Sequence, residues 1–476
     1  MLIKKEPLIK WLLFISYFVF SAFVNIIPAL YNRYPLFYSD SALYIDASML
    51  FGNLQPGETI PFLSGIGYAF FIRAITWKTT LWLVVYAQAI ILNILIYFTI
   101  KVLLPSKNAL KYHFLLIFIL SICTSMGWTV SQLMPDIFTS FLVLSLFLFY
   151  TIEKQKWIAY VLLSVLIIIS LMCHMSHISI TILFVIALTL LFLLKREYKT
   201  IRKVYLIKTV VILGLVLVSI FSLKEINKKY YNEYSLSPKG YVWFFARLID
   251  TGFMQEYLTE KCPEKSYAIC NYKDSLPDNS QAFLWGGESI YYKTGGWEAD
   301  HYEYSEIIQD VLTTPRYLSL FGYSCCTNFL KQMVSFKIGD KITNEYNKES
   351  GPYQLAVKNY DRNEFKNDFQ RSEQIFGTLK FETINLINYT VIFFSFLIIL
   401  YVFYRKKLDR NLHLFSFIII CGIIFNAGVI SNLSAVADRY QSRIVWMLPF
   451  LAIIYFFIFI YPALHKIFNN LIKLKD

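Results

Sequence analysis

Apolar residues fall in long blocks along this chain, separated by short polar stretches rich in lysine and arginine. About 20 apolar residues in a helix cross the hydrocarbon of a bilayer. Blocks near that length occur at roughly 9–31, 80–103, 112–128, 136–152, 157–174, 178–194, 205–223, 384–404, 412–430 and 444–463. They predict an all-α polytopic membrane protein with about ten transmembrane helices. A further apolar stretch, 61–76, is shorter and bounded by Pro61 and Lys78, which predicts an interfacial or broken helix against the bundle. The first block, Trp11–Leu30, is too long for a signal-peptide core and lacks a small-residue cleavage site, so it predicts a retained first helix.

The long interval at 224–383 predicts one extracytoplasmic domain, α+β or mainly helical, inserted between helices 7 and 8. Ser305–Leu312 has helical spacing ahead of Thr313-Thr314-Pro315, and Tyr317–Phe336 continues amphipathically. Gly286–Trp297 is turn-rich, with Gly286-Gly287 and Gly295-Gly296 around Tyr291 and Tyr292. The chain thus divides into an N-terminal membrane bundle at 1–223, with an acidic first outer loop at 32–60, the domain at 224–383, and C-terminal membrane helices at 384–476. There is no internal repeat and no low-complexity tract.

Composition agrees. Of the 476 residues, 57% are hydrophobic, 18% aromatic and only 16% charged, and mean hydropathy is +0.49. Soluble domains carry about 25% charged residues, so this chain is not a soluble enzyme, a fibrous protein or a disordered scaffold. The net charge of +13 would suit nucleic acid if it formed a patch. Instead the cations collect in alternate short loops: Lys4, Lys5 and Lys10; Lys101, Lys107 and Lys111; Lys154 and Lys156; Lys195 to Lys208; Arg405 to Arg410; and Lys466, Lys473 and Lys475. The other short loops hold only Arg33, Arg73, Lys78, Arg439 and Arg443. This positive-inside bias predicts an integral inner or plasma membrane protein with both termini cytoplasmic and no nucleic-acid partner.

That orientation puts Cys262, Cys270, Cys325 and Cys326 outside, where disulfides form. Four cysteines allow three pairings. The adjacent Cys325 and Cys326 are poorly placed to bridge each other, so Cys262 and Cys270 are expected as their partners. Zinc is the rival, weakened by the absence of CxxC spacing.

Ionisable residues at membrane depth mark function by default, and here they gather at one level. Asp40, Asp46 and Glu58 lie in the first outer loop, and Asp136 opens the fourth helix. His174 and His177 sit at the turn between helices five and six, and Asp438, Arg439 and Arg443 lie in the last outer loop. Asp40, flanked by serines, is either an N-cap or a general base or metal ligand. Asp136 after Pro135 suits a helix start and its dipole, or a site. The histidines, three apart, could bind metal, but hydrogen-bonded or phosphate-contacting roles fit better. Arg439 and Arg443 suit bidentate phosphate binding, unless Asp438 simply neutralises Arg439.

Four stretches together resemble the C-type glycosyltransferase superfamily (GT-C), in particular its protein O-mannosyltransferase and aminoarabinose transferase branch. They are Phe37-Tyr38-Ser39-Asp40-Ser41-Ala42-Leu43-Tyr44, Pro61-Phe62-Leu63-Ser64-Gly65-Ile66-Gly67-Tyr68, Met134-Pro135-Asp136-Ile137-Phe138, and Asp438-Arg439-Tyr440 followed by Leu448-Pro449. They look like the family's acidic first loop, its PPGYP-type stretch, the acidic start of a middle helix and its RY…LP segment. The chain departs from the family in carrying a single Asp at the first loop, with Asp46 six residues on, and one proline in the PPGYP-type stretch.

The resemblance implies transfer of a sugar from a polyprenyl-phosphate donor to a glycan, lipid or protein acceptor at the extracytoplasmic face. It assigns catalysis to Asp40 and Asp136 and donor-phosphate binding to Arg439, Arg443, His174 and His177. Tyr44, Tyr68, Asp46, Asp438 and Tyr440 are further candidates; no cofactor is certain, and a divalent cation is the one left open. Rival expectations are an O-antigen-type polymerase or ligase, with its essential groups in the large loop, a lipid or glycan transporter, or a non-catalytic envelope assembly protein.

Overall fold

The computed structural model describes residues 5–49, 65–104, 108–153, 155–285, 288–299, 301–360 and 363–464. Among these residues the fold is helical, and the one β-type contact is an isolated parallel bridge between Leu36 and Gln132. The described residues of 224–383, expected as an α+β or mainly helical domain, are therefore helices and turns. Among the described residues six helices are long and apolar enough to cross a membrane: Trp82–Leu103, Met175–Leu194, Arg202–Tyr231, Glu382–Arg405, Arg410–Leu433 and Asp438–Leu464. Four other expected spans are shorter apolar helices, at Leu12–Asn25, Ala109–Cys123, Ile137–Thr151 and Trp157–Cys173.

Two expected spans are interrupted. The 9–31 block breaks at Ile26, because Pro28 in the first turn of Ile27–Tyr31 has no N–H to continue the previous ladder. The 112–128 block breaks at Thr124, whose backbone is extended, before the short helix Met126–Val130. Thr124 Oγ1 instead bonds back to Leu120 O at 2.5 Å.

Ile137–Thr151 is the axis of the bundle. Every residue from Ile137 to Tyr150 is buried, as expected for a helix that is apolar on all sides. The outer helices bury one flank and leave residues such as Val210, Phe221 and Phe393 exposed. The 61–76 stretch is helical over Ile66–Thr76 and packs tightly on Trp157–Cys173. A Cβ at Gly67 would lie 2.7 Å from Met172 C and 2.8 Å from Cys173 N. Glu58 and Pro61–Ser64 lie outside the described residues.

The 224–383 block contributes to two cores. Val242, Phe245, Phe283, Tyr291, Tyr304 and Ile307 pack with one another in a lobe of their own. By contrast Tyr346, Tyr353, Phe365 and Phe369 join the core of the bundle. There Phe37 of the first loop sits 4.9 Å from Phe369 and 5.7 Å from Tyr346, centroid to centroid. Gln374 braces the same loop: its Oε1 accepts from Phe37 N at 3.0 Å, and its Nε2 donates to Phe37 O at 2.7 Å.

The cysteine pairing differs from expectation. Cys262 bonds Cys270, with Cα atoms 5.7 Å apart and a sequence separation of 8, while Cys325 and Cys326 are free. Cys262 ends the helix Met254–Lys261, and the turn behind it returns the chain to Cys270. Cys325 and Cys326 lie within the helix Pro315–Val334. Non-reducing peptide mapping should recover a Cys262–Cys270 link, with Cys325 and Cys326 both alkylated after unfolding.

Gly67→Ala should lower the melting temperature in detergent. The clash costs about 1–3 kcal/mol, more than the roughly 1 kcal/mol of helix propensity gained. Gly214→Ala, with nothing within 4 Å of the new Cβ, should leave stability unchanged or raise it.

Candidate functional site

The site is organised by the helix Asp438–Val445. Arg439 and Arg443 are one turn apart on it and so share a face. Each meets a carboxylate from a distant part of the chain. Arg443 Nη1 donates to Asp136 Oδ1 at 3.2 Å, with side-chain exposures of 1% and 5%. Arg439 Nη1 and Nη2 both donate to Asp40 Oδ2 at 3.2 Å, with exposures of 15% and 35%.

The inner pair sits in a polar network within the bundle. Asn426 Oδ1 accepts from Arg443 Nη2 at 2.7 Å and Nε at 3.2 Å. Asn426 Nδ2 donates to Tyr440 O at 2.7 Å and to Gln441 Oε1 at 2.8 Å. Asp136 caps no backbone N–H; its carboxylate turns to the arginine, and its Oδ2 is buried without a hydrogen-bond partner.

The outer pair is framed by aromatic rings. The Arg439 guanidinium lies 4.2 Å from the Tyr38 ring centroid and 4.7 Å from that of Tyr440, and Nη2 donates to Tyr440 Oη at 3.0 Å. Such stacking is favourable and covers the faces of the guanidinium, while its donor edge is turned to Asp40. Asp40 is not the N-cap. Tyr38 holds that position, and the cap bond runs from Tyr38 N to Ser41 Oγ at 2.9 Å. The Asp40 carboxylate is thus left to Arg439 and to the hydroxyl of Ser39, at 3.2 Å. Burial pushes the hydroxyls of Tyr38 and Tyr44 above their ordinary pKa, and the Asp40 charge adds to this. Both stay protonated at neutral pH, which makes them donors rather than bases.

Asp438 does not neutralise Arg439. Its Oδ1 accepts from Lys337 N at 2.9 Å, while Asp340 Oδ2 accepts from Arg439 N at 3.2 Å. His177 is a packing residue: Nδ1 donates to Ser170 O at 2.6 Å and Nε2 pairs with Thr139 Oγ1 at 2.8 Å. Both ring nitrogens expected for a phosphate are therefore taken. His174 caps the helix Met175–Leu194, its Nδ1 accepting from Ser176 N at 3.2 Å. Its ring lies 6.4 Å from Tyr440 and 5.7 Å from His177.

Tyr68 Oη donates to Gln88 Oε1 at 2.9 Å, and its ring meets that of Tyr44 at 5.3 Å. Asp46 is half-buried on the helix Ser39–Ser48, about 9 Å along the axis from Asp40, so the two do not form a tight acidic pair.

Asp40, Asp136, Arg439, Arg443 and Tyr440 are thus brought together with Tyr44, Tyr68 and the two histidines around them. Sequence reasoning missed Asn426, Tyr38 and Asp340. Asn426 carried a signal, an amide inside an apolar span; Asp340 carried none. Among the described residues no three His, Cys, Asp or Glu side chains gather as a metal site. Compared with protein families, curated proteins and solved structures, the chain finds no match.

The two pairs should respond differently to mutation. Truncating one partner of a buried pair strands the other charge, so Arg443→Ala or Asp136→Ala should each cost about 3–5 kcal/mol. The double variant Asp136→Leu/Arg443→Met should lose less than either. Arg439→Ala and Asp40→Ala, in the wetter pair, should each cost only about 1 kcal/mol. Unfolding in detergent checks all of these.

Proposed function

We propose that this chain is a membrane glycosyltransferase of GT-C type, moving a sugar from a polyprenyl-phosphate donor to an acceptor hydroxyl at the extracytoplasmic end of the bundle. The observation that carries it is the Asp40–Arg439 pair, a partly exposed guanidinium stacked between two tyrosines and held by one carboxylate. A phosphate offers Arg439 the same planar recognition as a carboxylate, with more charge. Donor binding then exchanges Asp40 for the phosphate and leaves the carboxylate free beside the sugar.

The chemistry follows from that exchange. The acceptor oxygen bonds to the anomeric carbon, and the bond from that carbon to the phosphate oxygen breaks. Polyprenyl phosphate departs with the bonding pair, and the hydroxyl proton passes to Asp40 as general base. Arg439 stabilises the charge that grows on the leaving phosphate. Arg443, locked by Asp136 and Asn426, acts as a positioning residue that keeps the arginine helix in register. Tyr38 and Tyr44 supply protonated hydroxyls, and the rings of Tyr38, Tyr44 and Tyr440 supply apolar faces for the sugar.

The test is complementation of a deletion strain, with glycan and glycolipid profiles read for wild type and variants at equal membrane abundance. Asp40→Asn should lower product by roughly 100- to 10,000-fold, the usual loss for a general base. Arg439→Lys should retain part of the activity and Arg439→Ala almost none. A wild-type profile from both Asp40→Asn and Arg439→Ala overturns the proposal and turns attention to the 224–383 block.

A further inference from the structure

The helix Pro315–Val334 has the composition of an outer-lobe helix but an unusual exposed face. Ser319, Tyr323, Cys326, Leu330 and Val334 follow one another at steps of three or four residues, so they lie on one side. All five are exposed, with Tyr323, Leu330 and Val334 at 73%, 64% and 69%. From Ser319 to Val334 this stripe carries no charged side chain. Its charges sit at the margins. Arg316, at the far end, pairs with Glu256 and Glu260 of the lobe, and Lys331 lies about 100° around the helix from Leu330.

The contacts made by its other faces place this helix. Phe329 packs against Gly428, where an added Cβ would come 3.8 Å from its ring. Gly428 lies about 8 Å along the axis from the end of the helix Arg410–Leu433. Beside this, Arg247 of the lobe donates from Nε to Ser431 O at 3.1 Å and from Nη2 to Ser324 Oγ at 3.2 Å. Just past the helix, Phe336 meets Tyr389 at 4.8 Å, and Asn385 Oδ1 accepts from Ile338 N at 2.7 Å. Both partners lie in the first turns of the helix Glu382–Arg405. The helix therefore abuts the ends of two apolar helices long enough to cross a membrane, on which Leu386, Phe393 and Leu433 are also exposed.

We infer that Pro315–Val334 lies in the membrane interface, with the Tyr323–Cys326–Leu330–Val334 face buried in lipid of the leaflet that borders the arginine helix. Lys331 reaches from its flank to the headgroups, and the aromatic Tyr323 suits the same level. The helix also holds the arginine helix directly. Gln332 Nε2 donates to Ala437 O at 2.8 Å, and its Oε1 accepts from Ala437 N at 3.0 Å. Lipid packing on this helix thereby fixes the start of the helix that carries Arg439 and Arg443, so the site is tied to the bilayer surface through a non-spanning element.

The test uses the unmodified full chain in phosphatidylcholine–phosphatidylglycerol liposomes, photolabelled with a hydrophobic aryl diazirine and mapped by mass spectrometry. Adducts on Tyr323, Cys326, Leu330 or Val334, comparable to those on Phe393 and absent from the exposed Lys348–Glu349 turn, are expected. Adducts on Glu382–Arg405 without any on Pro315–Val334 overturn the inference. So does a covalent dimer formed under copper–phenanthroline oxidation and abolished by Cys326→Ser, which would assign the face to a second copy of the chain. Neither readout depends on catalysis, so failure here is distinct from failure of the proposed transferase activity.

Discussion

A guanidinium inside an apolar bundle must be paired, and Arg443 meets that demand with Asp136 and Asn426. The desolvation of an unpaired ion would cost several kcal/mol, so this contact fixes both the depth and the rotation of the helix Asp438–Val445. Once Arg443 is pinned, helix geometry leaves Arg439 one turn nearer the end of the bundle and on the same side. There it meets Asp40, presented by a first loop that Gln374 and the rings of Phe369 and Tyr346 hold from behind. The site is a consequence of one buried ion pair and one braced loop.

The two pairs share a chemistry but differ in consequence because they differ in solvent. Arg443 and Asp136 are sealed by the bundle and by further amide contacts, so exchange of partners is blocked. Arg439 and Asp40 are stacked and oriented but partly wet, so a competing anion can reach the fork. A rigid inner pair beneath an exchangeable outer one is an arrangement suited to preorganisation: the charge is aimed before the ligand arrives.

Much of the architecture was legible along the chain. Long apolar blocks forecast the helices, because a single segment of that length can satisfy its own backbone in hydrocarbon only as a helix. The level at which Asp40, Asp136, His174, Arg439 and Arg443 cluster was legible from the same blocks. Other features were not. The break at Thr124 lies in an extended backbone at one residue, with Met126 N donating to Thr124 Oγ1, which hydropathy does not register. The 224–383 block looked like one domain because polarity marks only that it leaves the apolar blocks. Its aromatic residues decide, by packing, that part joins the bundle and part forms a lobe. The cysteine pairing went the other way from expectation because Cys325 and Cys326 are fixed on a helix while a turn carries Cys270 back to Cys262.

By itself the sequence determined that this is a helical membrane protein, where its helices run and which few charged residues lie at their ends, since burial of apolar surface and the cost of charge in lipid are properties of composition and spacing. Only the tertiary structure decided the partners. That Arg439 takes Asp40 rather than the adjacent Asp438, that His177 spends both nitrogens on Ser170 and Thr139, and that Gln374 braces the first loop are matters of distance between segments separated by up to hundreds of residues. Hydrogen bonds and ion pairs act over a few ångströms, and the chain alone does not say which distant groups come that close.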